Sequence, residues 1–370
     1  VEITEDISIG GTLSIQNSSG ISLSGVVSAA EGISFDEDVT LTLLPIDGIS
    51  ILQAESGNIT TGPIVPSQDG TSMSLIADPS KTITLAGSIG TSSDVSFKSI
   101  SIDAGFLEAS SMTASEAITI DASMTLNGSS TISSATGPIL FNASVNGLSN
   151  SAQSLTVDAG PGSITVGSVG GTVPLNTLSF SCDSVNLRGS SSDEKLWVAD
   201  TITLAADLSS QASFTVTNAG DFTLNGNIDL GLGSFKQKGA GNVLLGGNIT
   251  AGLILFDQEI TVTSDASLIS NSTLELSSKV QGQSSGVQSL TLSALTDASV
   301  SKIGDETALK SFSLTAIREA EIKDITTNAG AIDITAESIV LLENVTMDTT
   351  NGGGSSGGPI TITGDINALS

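Results

Sequence analysis

Apolar and polar residues alternate with a period of two along almost the whole chain. Stretches such as TITLAG, VSFKSISID and AITIDASMTLNG put Ile, Leu, Val or Phe on one face and Ser, Thr or Asp on the other. This alternation is typical of β-strands, and convincing helical periodicity appears nowhere. Gly and Asn interrupt the strands every few residues, as turns require. The pattern therefore predicts an all-β chain built from many short strands.

A short sequence recurs at a fixed offset of 21 residues. DFTLNGNI (221–228) is followed by NVLLGGNI (242–249), and related copies occur as KTITLAGSI, GSITVGSV and GPITITGDI. Superposing the first two copies aligns Phe222 with Val243, Leu224 with Leu245, Gly226 with Gly247, Asn227 with Asn248 and Ile228 with Ile249. We interpret the offset as one turn of a β-solenoid, in which inward side chains stack on the next turn and the glycine supplies a sharp bend. Asn227 above Asn248 indicates a ladder of side-chain amides.

A longer unit begins at Ser74, Ser154 and Ser289. Each copy has a strand, a turn, a second strand, an Ile-Gly or Val-Gly bend, a polar turn and a third strand, with Leu178 and Phe312 in equivalent places. Coils of roughly 21–23 residues give about 16 coils for the chain, stacked ~4.8 Å apart. A string of sandwiches or a barrel is the alternative, but sandwiches favour a buried aromatic core, and this chain has one Trp.

We therefore predict a single continuous parallel β-helix over residues 1–370. The Gly/Ser-rich segment 351–359 is predicted to be a loop, because the repeat resumes directly after it. The chain begins VEITEDISIG and ends GPITITGDINALS, both in strand-like alternation, so we expect an interior segment of a longer chain.

The units SLTVDAGPGSITVGSVGGTVPLNTLSFS, GDFTLNGNI, GNVLLGGNI and GGPITITGDI resemble the repeat region of filamentous-haemagglutinin-type adhesins. These are large bacterial surface proteins, related to autotransporter-like proteins. The resemblance implies a right-handed parallel β-helix in a long secreted chain, with an extracellular or cell-surface location.

Charge and composition narrow the set of partners. Lys and Arg total 11 against 39 Asp and Glu, a formal net charge of −28. A field of that sign repels phosphates, so we expect neither nucleic acid nor an anionic membrane surface as a partner. No apolar run approaches the roughly 18 residues needed to span a bilayer, so no membrane insertion is expected. The charge serves solubility or, alternatively, a cation-dependent role.

The sequence offers little catalytic chemistry. It has no histidine, which removes the commonest general base, the Ser-His-Asp and Cys-His systems and most zinc sites. P-loop, dinucleotide and nonapeptide calcium signatures are absent, so we predict no catalytic residue, cofactor or metal. The single cysteine, Cys182 in LSFSCDSV, is predicted to be a small buried apolar residue.

Two acidic stretches are the candidates for binding. One is FDEDV, with Asp36, Glu37 and Asp38. The other is SSDEKLW, near Arg188, and its weak surface-binding candidates are Asp193, Glu194, Lys195 and Trp197, the only Trp, which could stack on a sugar. Solvated turns explain both stretches more simply, because carboxylates adjacent on a strand point to opposite faces.

Six Thr-x-Thr triplets raise the possibility of an ice-binding face. Their spacings do not match one coil, so they indicate outward strand residues.

The function predicted from sequence is a non-enzymatic structural rod of an extracellular bacterial surface protein, either an adhesin shaft or a filament subunit. Its expected partners are flanking coils of the same chain or copies stacked end to end, and possible further partners are cell-surface glycans or a host surface. The alternative is a carbohydrate-binding or polysaccharide-cleaving β-helix.

Overall fold

The computed structural model describes residues 1–16, 20–36, 40–44, 48–90, 95–190, 193–354 and 356–368. Within these ranges the chain is all-β, with no helix, and its paired strands run parallel in about 16 turns. The prediction of a parallel β-solenoid is confirmed. The chain divides into two compact units, Val1–Arg188 and Gly189–Ser370. A single continuous helix over 1–370 stays a prediction.

The strands of the first unit are β1 (Glu2–Ile3), β2 (Ile7–Ile9), β3 (Thr12–Ile15), β4 (Ile21–Ser24), β5 (Val26–Ala29), β6 (Gly32–Phe35), β7 (Leu41–Leu44), β8 (Ile49–Ala54), β9 (Ile59–Thr61), β10 (Ile64–Pro66), β11 (Ser72–Ala77), β12 (Thr82–Leu85), β13 (Phe97–Ala109), β14 (Met112–Leu126), β15 (Ser130–Ser134), β16 (Ile139–Phe141), β17 (Val145–Gly147), β18 (Leu155–Asp158), β19 (Ser163–Val166), β20 (Leu175–Ser181) and β21 (Ser184–Leu187).

The strands of the second unit are β22 (Glu194–Leu204), β23 (Asp207–Ser209), β24 (Ser213–Asn218), β25 (Phe222–Leu224), β26 (Ile228–Asp229), β27 (Ser234–Gly239), β28 (Val243–Leu245), β29 (Ile249–Ala251), β30 (Leu253–Phe256), β31 (Ile260–Val262), β32 (Ala266–Ser270), β33 (Leu274–Leu276), β34 (Val280–Gly282), β35 (Ser289–Ala294), β36 (Asp297–Val300), β37 (Ser311–Ala316), β38 (Glu319–Ile322), β39 (Ile325–Thr326), β40 (Ile332–Leu341), β41 (Met347–Asp348) and β42 (Ile360–Ala368).

Each coil has three sides. In the first unit, β4, β5 and β6 belong to one coil, and each pairs with the strand three places later in the chain, namely β7, β8 and β9. In the second unit, β24, β25 and β26 pair in the same way with β27, β28 and β29. The long strands β13 and β14 run across more than one side, since β13 pairs with both β11 and β12. Three parallel sheets thus enclose the interior of each unit.

The register confirms the 21-residue repeat. Phe222 pairs with Val243, Leu224 with Leu245 and Ile228 with Ile249. Coil length varies more than the predicted 21–23 residues, because 17 residues separate Val243 from its partner Ile260 and 27 separate Met73 from Ile100. Apart from register shifts in the β13–β14 and β40–β42 pairs, the strands keep their register, so the turns absorb most of the difference in length.

The longer repeat is one coil followed by the first strand of the next. Leu155 pairs with Leu178, and Leu290 pairs with Phe312. The third strand of each copy of this repeat therefore stacks on the first strand of the same copy. The residue before the bend glycine, such as Val169 or Ile303, forms an isolated parallel bridge to the preceding coil and is fully buried. The residue at the predicted bend therefore stacks on the preceding coil, in addition to the two strands that come before it in the repeat.

Glycine in the short repeat serves close approach of the coils. Gly226 and Gly247 do not have positive φ angles. A Cβ atom on Gly247 would lie 1.8 Å from the carbonyl oxygen of Gly226, and one on Gly226 would lie 2.1 Å from the carbonyl oxygen of Ala206. The prediction that glycine stands at a bend is confirmed, since both residues lie at bends between strands. At these two positions any side chain would also push neighbouring coils apart.

The predicted amide ladder is confirmed and begins with a carboxylate. Asn227 donates from its backbone nitrogen and Nδ2 to Asp207 Oδ1, at 2.7 and 3.0 Å. Asn248 repeats this geometry on Asn227 Oδ1, at 2.9 and 3.0 Å. The backbone nitrogen of Ser267 then donates to Asn248 Oδ1 at 2.8 Å. The ladder ties four consecutive coils together at one corner of the second unit.

The Gly/Ser-rich segment 351–359 connects β41 to β42 with no strand among its described residues. Asp348 organises its start, accepting hydrogen bonds from the backbone nitrogens of Thr350 and Gly352 at 2.7 and 2.6 Å. The hydrogen bonds from Thr350 and Gly352 lower the pKa of the Asp348 carboxyl. The segment thus begins as an ordered turn around one carboxylate.

Candidate functional site

The first acidic stretch offers no described cluster. Asp36 follows β6, and its backbone nitrogen donates to the carbonyl oxygen of Ile15 at 3.2 Å. Glu37 and Asp38 lie outside the described residues. The arrangement of these three carboxylates relative to one another is therefore not described.

The carboxylates of the second stretch are engaged in local structure. Asp193 Oδ2 accepts hydrogen bonds from the backbone nitrogen and hydroxyl of Ser190, at 2.8 and 3.2 Å, and these bonds lower the pKa of Asp193. Glu194 Oε1 accepts a hydrogen bond from Thr215 at 2.6 Å and lies 4.0 Å from the Lys236 ammonium. Asp193 thus caps a turn, whereas Glu194, the first residue of β22, joins neighbouring coils.

Trp197 cannot act as a surface platform for a sugar. Its side chain is fully buried inside the coil, where its ring meets that of Phe214 edge to face, with centroids 4.8 Å apart and planes at 76°. Lys195, two positions earlier on β22, is half-buried. The prediction that Trp197 is a surface-binding candidate is wrong, because this strand points Trp197 and Ala199 inward.

Arg188 belongs to the first unit and is occupied there. Its Nη1 donates to the backbone carbonyl of Asn142 at 3.0 Å and also bonds the Asn142 side chain. This arginine thus serves to link coils of the first unit.

Cys182 is half-buried and outside the apolar core. It follows the last residue of β20, and its Sγ donates to the carbonyl oxygen of Ser184 at 3.3 Å. Burial raises the pKa of the thiol to about 11, so the reactive thiolate is scarce at neutral pH. The prediction of a buried apolar residue is wrong in placement, since β20 ends one residue too early to carry Cys182 inward.

A groove of about 240 Å³ lies on the outer surface of the second unit, and sequence reasoning did not find it. It is lined by residues of β33 and β36 and by residues that directly follow β33, β36, β38 and β40: Glu275, Leu276, Ser277, Ser299, Val300, Ser301, Lys323 and Leu342. A carboxylate, an ammonium and three hydroxyls thus meet around one hollow. Such a set can hold a polar ligand through hydrogen bonds.

Two lysines beside the groove are neutralised by acidic partners. Lys279 lies 3.4 Å from Glu259 and is also paired with Glu306, and Lys302 lies 3.3 Å from Asp324. The hydrogen bonds to Glu306 and Asp324 raise the pKa values of Lys279 and Lys302, respectively. These ion pairs hold adjacent coils together and leave little charge for a ligand.

Two further properties concern metals and membranes. Among the described residues, no group of three or more His, Cys, Asp or Glu side chains is placed to hold a metal ion. Within the same ranges, no helix has the length and hydropathy to cross a lipid bilayer.

Comparison with protein-family models, with curated proteins and with solved structures finds no match for this chain. The resemblance to filamentous-haemagglutinin-type repeats therefore stays a prediction from the residues quoted above.

Proposed function

We propose that this protein is a non-enzymatic structural segment of an extracellular bacterial surface protein, serving as an adhesin shaft or a filament subunit. The observation that carries the proposal is the stacking of parallel coils, within each unit, around a largely apolar interior. Most strands pair with the coil on each side, which leaves few free backbone groups for a protease to engage. The haemagglutinin-type resemblance supports the cell-surface location.

The chemistry of the described side chains supports a non-enzymatic role. The chain has no histidine, and the carboxylates of Asp193 and Glu194 are engaged in a turn and a link between coils. General acid–base work needs a carboxyl whose pKa is shifted toward the working pH, whereas that of Asp193 is lowered. A structural use accounts for both residues.

We expect no hydrolase or lyase activity on polysaccharides. The measurement is the release of reducing ends or unsaturated sugars from pectins, alginates and glucans incubated with the 370-residue chain. Product that appears with the wild-type chain and disappears with Asp193→Asn or Glu194→Gln would overturn the non-enzymatic proposal.

A carbohydrate-binding β-helix is the second candidate. The observation in its favour is the groove with Glu275, Lys323 and three serine hydroxyls, which is a polar surface that a structural segment alone does not need. This candidate is compatible with a structural role, because stalks of surface proteins can carry binding sites.

The partner proposal concerns the exposed strand β42. Ile360, Ile362 and Ile366 stack on the buried residues Ile332, Ile334 and Ile339 of β40, yet the three β42 side chains are 45, 37 and 56% exposed. A strand with free backbone groups and apolar side chains favours pairing with another strand. In the assembled protein a further coil of the same chain or a second copy would cover it.

We expect the 370-residue chain to self-associate through this strand if a second copy covers it. Light scattering and electron microscopy should then show particles joined coil to coil, and Ile366→Lys should return them to monomers, whereas Thr291→Lys on an exposed outward position should not. A monomer whose β42 amides are nevertheless protected from hydrogen exchange would contradict both versions, since the strand would already be covered.

A further inference from the structure

On the outer surface of the second unit, residues at equivalent positions of successive coils form rows. The groove lies where small side chains interrupt two of these rows. The first row is Glu275, Ser299 and Glu321, which pair directly on β33, β36 and β38. The second row is formed by the residues that follow these strands, Ser277, Ser301 and Lys323. Serines in consecutive coils leave a hollow that larger residues border.

The floor of the groove presents hydroxyls that are available to a ligand. Within the described part of the chain, the hydroxyls of Ser299 and Ser301 have no hydrogen-bond partner. Ser277 donates its hydroxyl hydrogen to Glu275 at 3.0 Å, which leaves lone pairs of both side chains free to accept further hydrogen bonds.

Lys323 differs from the neighbouring lysines of this surface. Lys279 and Lys302 are ion-paired, but among the described residues the half-buried Lys323 forms no ion pair. Other described lysines, such as Lys238 and Lys310, likewise form no ion pair, so what sets Lys323 apart is its place at the groove. Its three donors face the same hollow as the serine hydroxyls.

The surroundings restrict the class of ligand. A peptide strand cannot add here, because β36 is already paired on both edges, with β33 and β38. An anionic ligand meets the Glu275 carboxylate and the acidic field of the whole chain. What remains is a neutral ligand that carries several hydroxyl groups and one apolar face.

We propose that this groove binds a neutral saccharide. Glu275 accepts hydrogen bonds from sugar hydroxyls, Lys323 and the serines donate to sugar oxygens, and the half-buried Leu342 packs against the C–H face of the ring. The groove is monosaccharide-sized and open, so the affinity is expected to be weak, with a Kd on the order of 1 mM. This inference rests on the second candidate function above and names its ligand class, and it is independent of the structural role.

The test is a titration of the intact chain, monitored by NMR of backbone amides. The ligands are neutral oligosaccharides, namely cello-, malto- and manno-hexaose, and a uronate oligosaccharide as the charged comparison. At least one should shift the amides of Ser277, Ser299 and Lys323 saturably. Lys323→Ala removes a hydrogen-bond donor, and Ser299→Ile fills the hollow. Each variant should weaken binding about tenfold. The matched controls are Lys310→Ala and Thr291→Ile, at exposed positions that do not line the groove.

Three outcomes would overturn the proposal: none of the hexaoses binds, binding persists in Ser299→Ile, or only uronate oligosaccharides bind. The last would show as an affinity that falls steeply with added salt, whereas a neutral ligand should be insensitive to it. Thermal unfolding of each variant separates a lost site from a lost fold. If no saccharide binds, the structural proposal still stands, because the titration measures ligand binding, whereas light scattering and electron microscopy measure self-association.

Discussion

Leu224→Asp is expected to lower the free energy of unfolding by about 4 kcal/mol or more, which is enough to unfold the second unit around it. Leu224 is fully buried, between Leu204 on the preceding coil and Leu245 on the following one. A carboxylate there has no partner and no water, so it must either take up a proton or force the coil open. Leu245→Asp should behave alike, and chemical denaturation followed by circular dichroism measures both.

The adjacent residue provides the matched control. Thr223 pairs with Thr203 and Leu244 on the outer surface, where it is half-exposed. Thr223→Asp should change stability by less than about 0.5 kcal/mol. If Thr223→Asp and Leu224→Asp melted alike, the inward assignment of Leu224 would be wrong.

Asn227→Ala serves as the intermediate case in the same series. It removes the rung that joins Asp207 to Asn248 but leaves the backbone pairing of the coils in place. Because the ladder is exposed to solvent, water can replace the lost bonds, and we expect a cost of about 1 kcal/mol.

The sequence predicted the stacking well because one physical signal was repeated. Alternation assigned Phe222 and Leu224 to the interior, and the 21-residue offset assigned their partners on the next coil, as the register shows. The turns were harder, because a turn can gain or lose residues without disturbing the strands. This is why the 17-residue step from Val243 to Ile260 escaped a prediction based on mean coil length.

The candidate site was poorly predicted because it depends on neighbours across coils. In LWVA, every residue from Leu196 to Ala199 is apolar, so alternation cannot say whether Trp197 faces in or out. Its pairing with Val216, a buried residue, decides the matter. The groove has a similar origin, since Ser299 lies on Glu275 only once the register of β33 and β36 is known. Aligning the outward residues coil by coil was the signal that could have found it.

Trp197→Ala should destabilise the second unit by about 3–5 kcal/mol, the second-largest effect we expect. The substitution leaves a cavity in the core beside β22 and removes the edge-to-face contact with Phe214. Phe214 in turn meets Phe235 edge to face, with ring centroids 6.0 Å apart. Trp197→Phe should cost less, because it fills most of the cavity. Denaturant unfolding monitored by circular dichroism gives the comparison without relying on the tryptophan itself.

Lys195→Ala is the control on the same strand, at a half-buried position, and it should leave the unfolding midpoint nearly unchanged. The wild-type chain adds a second readout, because its single tryptophan reports one environment. A buried indole should emit at short wavelength and resist quenching by acrylamide until the second unit unfolds. If Trp197→Ala unfolds like the wild type and the native indole is quenched as readily as free tryptophan, the ring lies at the surface. In that case stacking on a sugar, the role predicted from sequence for Trp197, would again be the better explanation.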